Sequence, residues 1–233
     1  MKSAHARSDT EPQTLRLSID TKTKIKLGEF SRGGKLRCLE PVKAADHDML
    51  SSGTLVPFGI LEVKQKQFNV VYGNSRETSD FIVDGLEHWW DDRKSSYPDI
   101  TSLQIDLDNG PEIESHRTQF IKRVVEFVDA IQLPIELVYY PPYHSKYNPV
   151  EHCWGVLESH WSGALLTDTE VVREWTKTMR WGGIAPNVYC LEGEYDTGVK
   201  LSKREMRCYE QRLVRTPEIE RWSLVIQPKK GAD

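Results

Sequence analysis

The hydrophobic period of this chain changes near residue 78, and this change limits the possible folds more than any other feature. Before it, three segments alternate apolar and polar residues with period two, as strands do: "LRLSID", "TLVPFGILEV" and "QFNVVYG". After it, "TSDFIVDGLEHWW" carries apolar residues at helical spacing, and strand-like and helix-like segments then alternate. This order predicts an α/β fold, in which helices flank a mixed β-sheet.

The pattern divides the chain into three parts. Residues 1–14 are polar and are expected to form a disordered tail. Residues 15–165 carry the strands and the alternation, and we expect them to form one domain. Residues 166–233 have a weaker pattern, which predicts a mainly helical C-terminal extension packed on that domain.

Composition excludes some classes of protein. The 233 residues are 38% hydrophobic and 28% charged, and no apolar run is long enough to cross a membrane. No charged and then apolar leader precedes residue 15, so we expect a cytoplasmic protein with no membrane partner. The four cysteines lack C-x-x-C spacing, which disfavours a zinc site or a disulfide framework. A net charge of −4 disfavours a nucleic-acid coat protein but allows an enzyme with a local basic surface.

Acidic residues fall where strands end. Asp20 ends the first strand, Asp106 and Asp108 end the strand in "SLQIDLDNG", and Glu151 opens the helix after "IELVYYPP". The carboxyl ends of strands in such a sheet form a crevice for ligands. Acids that meet there repel one another and are best neutralised by a hard divalent cation. Oxygen ligands favour Mg²⁺ or Mn²⁺, and a pair of such ions suits phosphoryl transfer.

Each acid also has an ordinary structural interpretation. Asp20 could terminate a strand at the surface, and Asp108 begins an Asp-Asn-Gly turn signal. Asn148 suits the cap of the following helix, Pro149 suits its first position, and Glu151 suits a capping box. A cap and a metal ligand are compatible roles for Glu151, because the helix start also determines where its carboxylate points.

Five segments together resemble the catalytic core of the DDE transposases, the mariner-like and bacterial insertion-sequence enzymes. The resemblance covers roughly residues 15–165, and the closest branch is the ISAzo type. "DLDNGPEIESHR" is similar to the second-acid motif, and the last segment is similar to the last-acid motif. The five segments are "SIDTKTKIKLGEFSRGGKLR", "VPFGILE", "TSDFIVDGLEHWW", "DLDNGPEIESHR" and "YYPPYHSKYNPVEHCWG".

The resemblance implies an RNase H-like fold and a catalytic, metal-binding triad of Asp20, Asp108 and Glu151. It implies two Mg²⁺ or Mn²⁺ ions, with Asp106 as an alternative ligand to Asp108. Glu151 follows Asp108 by 43 positions (151 − 108), a longer gap than in many mariner-like members. The implied reaction is DNA strand cleavage and strand transfer at insertion-sequence ends. The implied partners are transposon-end and target DNA and a second copy in a homodimer.

Two alternatives to that activity remain open at this point. Members of the family usually begin with a helix-turn-helix region that reads the element ends. The catalytic pattern here starts near residue 15, so we expect a truncated or partial copy. Such a copy could still be an active transposase, and the first alternative is an inactive DNA-binding or regulatory remnant that keeps the fold. A third interpretation is an RNase H-like nuclease that hydrolyses without strand transfer.

A basic run follows Asp20 and is a candidate DNA-backbone contact, because phosphates beside a metal site need neutralising. A solvated strand face explains the same run equally well. Two histidines near the acids, His116 and His152, could contact a phosphate, although structural hydrogen bonds are the simpler explanation. The candidate DNA-binding residues are Lys22, Lys24, Lys26, Arg32, Lys35, Arg37, His116 and His152.

Overall fold

A nine-stranded mixed sheet forms the frame of the structure, a computed structural model that describes residues 2–35, 43–45, 51–141, 147–217, 219 and 222–229. The strands are β1 Thr14–Thr21, β2 Ile25–Leu27, β3 Gly53–Glu62, β4 Gln67–Gly73, β5 Ser102–Leu107, β6 Ile135–Tyr139, β7 Asn187–Leu191, β8 Leu213–Arg215 and β9 Ser223–Ile226. The helices are α1 Lys2–Thr10, α2 Ser79–Arg93, α3 Thr118–Ile131, α4 Pro149–His160, α5 Thr169–Thr178 and α6 Lys203–Glu210. A short 3₁₀ turn, Lys94–Ser96, follows α2.

The strand order across the sheet is β7-β4-β3-β1-β5-β6-β9-β8, and β2 pairs with β3. The central pairs β1–β5 and β5–β6 are parallel, whereas β3 is antiparallel to both β1 and β4. The carboxyl ends of β1 and β5 therefore lie side by side at one edge of the sheet. This is the arrangement in which α/β proteins place ligands.

Alternation in β1 separates its side chains between the two faces of the sheet. Leu15, Leu17 and Ile19 enter the apolar core that α2 and α3 cover, which accounts for their burial. The intervening residues are polar and face α1 and α4. A second core lies between α4, α5 and the strands β2, β3 and β4. The central strand thus supports an apolar core on one face and polar groups on the other.

The N-terminal residues differ from the disordered tail that the sequence predicts for residues 1–14. Lys2–Thr10 forms α1, which packs on the sheet through ion pairs rather than an apolar face. Asp9 accepts two hydrogen bonds from Arg16 of β1, and Arg7 pairs with Glu136 of β6. The helix has little amphipathic pattern, so its stability depends on these tertiary contacts, which local sequence does not reveal.

The C-terminal extension also differs from the mainly helical segment that was expected. It contains α5 and α6, but it also adds three strands to the main sheet. β7 pairs in parallel with β4, and β9 pairs with β6 and β8. These strands are only three to five residues long, so their alternation is too short to separate strand from turn. Among the described helices, none is both long enough and apolar enough to span a bilayer.

Candidate functional site

Three acids lie near the carboxyl ends of β1 and β5. Ser18 of β1 is level with Asp106 of β5 in the parallel register, so the residues two positions later, Asp20 and Asp108, are neighbours across the sheet. Glu151 enters from the first turn of α4, which packs against β1 and β3. The three residues come from distant parts of the chain, and the topology places all of them at one edge.

The electrostatics of this edge indicate that the three carboxylates interact. Burial and then the charges of Glu151 and Asp108 together raise the pKa of Asp20 to about 8. Burial also raises the pKa of Asp108 and of Glu151, and Asp108 adds to the shift at Glu151. Opposing effects come from Lys22, which lowers the pKa of Glu151, and from the Gly110 N–H, which donates to Asp108. Burial therefore disfavours the charged form of all three acids, and the charge of Asp108 adds to this effect at Asp20 and at Glu151.

The start of α4 is capped by a hydrogen bond with another element and not by the capping box that the sequence suggests. Asn148 occupies the cap position, yet its side chain makes no cap hydrogen bond. The Ser18 hydroxyl on β1 accepts from the Val150 N–H at 2.9 Å instead, so the cap comes from another element. A complete capping box is present in α6, between Ser202 and Glu205, and not in α4. The Glu151 carboxylate is thus not engaged in capping its own helix.

Asp106 lies in a different environment from Asp108. Its side chain is fully buried, and its Oδ1 accepts from Gln104 Nε2 at 2.7 Å. Its Oδ2 accepts from Arg16 Nε at 2.7 Å and lies 3.2 Å from His5 Nε2. Both oxygens are thus already bound, and they connect α1 to the sheet. As a metal ligand, Asp106 would have to break this buried network.

Two residues outside the sequence-based set shape the surroundings of Asp20. Gly59 on β3 is level with Asp20, and a Cβ at Gly59 would lie 2.6 Å from Cζ2 of Trp154. The glycine therefore makes room for the Trp154 ring, which packs edge-on against Phe68. The nearby indole of Trp154 also lowers the pKa of Asp20, against the larger effect of burial. A glycine inside a strand is the sequence signal for such a close approach.

The basic run is divided between several surroundings. Lys22, Lys24 and Arg32 line one cleft of about 460 Å³, together with Trp161 and Glu158. Within it, Lys22 Nζ lies 2.8 Å from Glu158 Oε1, and the Arg32 guanidinium stacks over Phe30.

The remaining candidate DNA-binding residues are exposed where they are described. Lys26 lies on the outward side of β2, and Lys35 follows the Gly33–Gly34 turn. His116 and His152 are also exposed, His152 directly beside Glu151. Arg37 lies outside the described residues. The structure therefore brings part of the basic run, rather than all of it, into one cleft.

The three acids fit a hard divalent cation in donor type and in charge. All three supply carboxylate oxygens, and a cation would offset the repulsion that adds to the raised pKa values of Asp20 and Glu151. Within the described part of the chain, no group of three His, Cys, Asp or Glu side chains is close enough to form a complete metal cage. The acids therefore interact electrostatically without an already assembled ligand set.

Comparison with known proteins adds a family and a fold. A family model described as the Rhodopirellula transposase DDE domain matches residues 1–228. Among solved structures, the chain is similar to the Mos1 transposase paired-end complex with left transposon end, at 11% identity and a TM-score of 0.50. That match covers 74% of this chain and 49% of the Mos1 chain, so this chain spans about half the length of that protein. The likeness concerns the fold, and it confirms the RNase H-like mixed sheet.

Two further structures have TM-scores of 0.45. One is the Mos1 strand transfer complex, at 10% identity, covering 74% of this chain and 48% of that chain. The other is a simian T-cell lymphotropic virus intasome in complex with PP2A regulatory subunit B56 gamma. It is 12% identical, covering 94% of this chain and 59% of that chain. Comparison with curated proteins gives no match.

Proposed function

The chain belongs to the family of the Rhodopirellula transposase DDE domain, and from this premise we propose that it cleaves DNA and transfers the cut strand to a target. Asp20, Asp108 and Glu151 are the catalytic acids of this proposal, and two Mg²⁺ or Mn²⁺ ions are its cofactors. One observation supports it: three carboxylates distant in sequence lie at the ends of β1 and β5 and at the start of α4, where the charges of Glu151 and Asp108 raise the pKa of Asp20 and the charge of Asp108 raises that of Glu151.

In the proposed reaction, a water molecule and then a DNA 3′-hydroxyl attack a backbone phosphorus, and the P–O bond opposite breaks. Bound divalent ions would activate the attacking oxygen and stabilise the leaving oxygen. The protein's part is to hold the ligands. The sheet fixes Asp20 and Asp108 relative to each other, and α4 brings Glu151 to the same edge.

The basic cleft is the proposed path of the DNA backbone beside these acids. Lys22, Lys24 and Arg32 line it, and Lys22 is near enough to Glu151 to lower its pKa. Backbone phosphates are bound by such cations with little dependence on sequence. His152, Lys26, Lys35 and Arg37 are further proposed contacts, and His116 is one on the loop after β5. Transposon ends and target DNA are the proposed partners, with a second copy of the chain as a dimer partner.

Cleavage and joining of DNA test the proposal. The substrates are supercoiled plasmid and duplexes with the ends of the encoding element, incubated with Mg²⁺ or with EDTA. We expect nicked and joined products that require the metal. We expect Asp20→Asn, Asp108→Asn and Glu151→Gln each to reduce the rate by at least about 100-fold, because each removes a charge that a divalent ion needs. Asp91→Asn, on the exposed face of α2, is the matched carboxylate control.

The products and the variants separate the alternatives. Cleavage without joined product would favour a nuclease, and binding of DNA without cleavage would favour an inactive remnant. Circular dichroism of each variant establishes that it is folded. Full activity in folded Asp108→Asn or Glu151→Gln would refute the assigned triad.

A further inference from the structure

Two buried polar side chains connect the start of α4 to the end of β1. Ser18 and Asn148 are 0% and 1% exposed. The Ser18 hydroxyl donates to the Asn148 side-chain oxygen and accepts from the Val150 N–H at 2.9 Å. Asn148 Nδ2 in turn donates to the Ile19 carbonyl at 3.0 Å. We call this set of three hydrogen bonds the β1–α4 clamp.

The clamp joins the backbone next to one acid to the backbone next to another. On β1 it uses Ser18 and Ile19, which directly precede Asp20. At the start of α4 it uses the cap residue Asn148 and Val150, which lie three positions and one position before Glu151. A change in the clamp would therefore alter the separation of the two carboxylates before it altered anything else at the site.

The other contacts of α4 are poorly suited to fix that separation. Val150, Cys153, Trp154 and Leu157 bury α4 in an apolar core. Apolar packing is strong but not directional, so it allows small shifts of a helix along its neighbours. Hydrogen bonds are directional, so the β1–α4 clamp can fix the position of Glu151 relative to Asp20 where apolar packing does not.

The way in which α4 is capped also indicates that Ser18 and Asn148 position α4 relative to β1, rather than only supplying hydrogen bonds to buried polar groups. If α4 needed only a cap, the Asn148 side chain could supply it, since asparagine is among the preferred cap residues. Asn148 instead bonds β1, and Ser18 supplies the cap from β1. Both side chains therefore bridge two elements, and neither serves its own.

We propose that Ser18 and Asn148 are positioning residues for Glu151, which set its distance from Asp20 so that the two carboxylates bind the same divalent cation. The proposal rests on the proposed function of the three acids. Hydrogen-bonded partners behind metal ligands typically change metal affinity or activity by about 10–100-fold when removed. That is the effect we expect from opening the clamp.

Direct metal binding is the main test. Mn²⁺ is titrated into the full chain without DNA, and free Mn²⁺ is measured by electron paramagnetic resonance. We expect Ser18→Ala and Asn148→Ala each to weaken Mn²⁺ binding by about 10-fold or more. The double variant should be little worse than either single variant, because both break the same chain of bonds. The Mg²⁺ concentration for half-maximal DNA cleavage should rise by a similar factor.

A buried hydrogen bond away from the acids provides the matched control. Tyr72 and Thr176 share one at 2.7 Å, in the same apolar core that holds α4. Tyr72→Phe should lower the melting temperature as a clamp variant does, yet leave Mn²⁺ affinity within about 2-fold of wild type. If Ser18→Ala does not fold, Asn148→Asp carries the same comparison, because it keeps the acceptor for Ser18 and loses the donor to Ile19.

The outcomes separate this proposal from the function on which it rests. Wild-type Mn²⁺ affinity in folded clamp variants would overturn the positioning role and leave the triad standing. An equal loss of affinity in Tyr72→Phe would also overturn it, since the effect would then be one of general stability. A wild-type chain that neither binds Mn²⁺ nor cleaves DNA would overturn the proposed function and the positioning role together.

Discussion

Asp20 lies in surroundings that favour its protonated form. Burial, and then Glu151 and Asp108, raise its pKa from 3.8 to about 8. The metal-free folded protein thus holds a proton that the unfolded chain releases above about pH 4. A pKa that is higher in the folded than in the unfolded state stabilises the fold fully at a pH below the unfolded-state pKa. This stabilisation is lost as the pH rises towards the folded-state pKa. Between about pH 4 and pH 8, the metal-free protein should therefore lose stability.

We expect Asp20→Asn to remove this loss, because the amide resembles the protonated acid and cannot ionise. In EDTA, the variant should melt at a higher temperature than wild type near pH 8, with a much smaller difference near pH 4. Thermal melts across this range test it. Asp129→Asn is a control of opposite sign, since a hydrogen bond from Arg212 lowers the pKa of Asp129 and supports stability above that pKa. A constant difference between Asp20→Asn and wild type at every pH would contradict the pKa shift.

Asp106 and Asp108 should respond in different ways to the same substitution. Asp106→Asn breaks the buried ion pair with Arg16 and should reduce the free energy of unfolding by about 3 kcal/mol, the lower end for such pairs because Arg16 keeps Asp9. Asp108→Asn should leave the metal-free fold intact and abolish the Mg²⁺-induced rise in melting temperature. Urea denaturation and melts with Mg²⁺ measure both. Loss of the Mg²⁺ effect in Asp106→Asn, at unchanged stability, would reverse the assignment.

At the residue scale, the candidate site residues could be predicted where the local sequence pattern marks the end of a strand or the start of a helix. Asp20, Asp108 and Glu151 each stand at a strand end or helix start, which sequence pattern reveals. The roles of Ser18 and Trp154 could not be read in the same way. Ser18 contacts Asn148 across a separation of 130 residues, and Trp154 meets Asp20 only because Gly59 leaves space in the neighbouring strand. Such roles depend on register between distant strands and helices, which local sequence does not encode.

At the scale of elements, α4 carries two acids with opposite consequences for DNA. Glu151 stands in its first turn, and Glu158 lies two turns later, facing the basic cleft. Glu158 pairs with Lys22 at 2.8 Å and so neutralises a cation that could bind phosphate. The helix thus carries a proposed metal ligand, Glu151, and a second acid, Glu158, that would compete with DNA phosphates for Lys22.

Removing this competitor should strengthen DNA binding. Glu158→Gln leaves Lys22 available to a phosphate, so we expect tighter binding in EDTA and a steeper dependence of affinity on salt, by about one unit of slope. Lys24→Ala combined with Arg32→Ala should weaken binding to all sequences and flatten the same slope. Lys177→Ala, an exposed cation paired with Glu174 on α5, is the control. An unchanged salt dependence in the Lys24 and Arg32 double variant would indicate that the basic run is a solvated strand face and does not contact DNA.

The elements of the central region follow their sequence pattern closely. The period change near residue 78 marks the start of α2, where Thr78 caps the helix by accepting from the Phe81 N–H. The expected start of α4 at Pro149 also agrees with the structure. The predictions that were wrong concern segments whose structure depends on tertiary contacts more than on local sequence pattern. α1 is held by ion pairs, and β7 and β8 are too short to show a period.

At the scale of the whole molecule, the resemblance to DDE transposases is confirmed by a family match over residues 1–228. The match extends well beyond the 15–165 region in which the motifs are visible. The structure gives a reason, because the last third completes the sheet with β7, β8 and β9. This part of the chain is therefore a component of the central sheet rather than an appended layer.

Truncation tests whether the C-terminal strands are needed to complete the central sheet. A chain ending at residue 165 would expose the edges of β4 and β6. It would also uncover Ile135 and Leu137 of β6, which pair with Ile226 and Leu224 in the full chain. We expect it to aggregate or to be digested rapidly by protease, since long unpaired edges promote association. Limited proteolysis and size-exclusion chromatography, with the full chain as control, measure the effect. A monomeric, protease-resistant fragment with native circular dichroism would show that these strands are not needed.

The parallel pairing of β1 with β5 also has a kinetic consequence. Arg16 and Asp106, which meet in this pair, are separated by 90 residues, and Asn69 meets Asn187 in the β4–β7 pair across 118. Closing such long loops costs entropy before contacts repay it, and sheets with distant partners fold slowly. Asp20 and Asp108 become neighbours no earlier than the closure of β1 on β5. If the three acids bind a divalent ion as proposed, this binding should appear during refolding only after the helices have formed. The rate at which Mn²⁺ becomes bound would then report the rate at which the sheet closes.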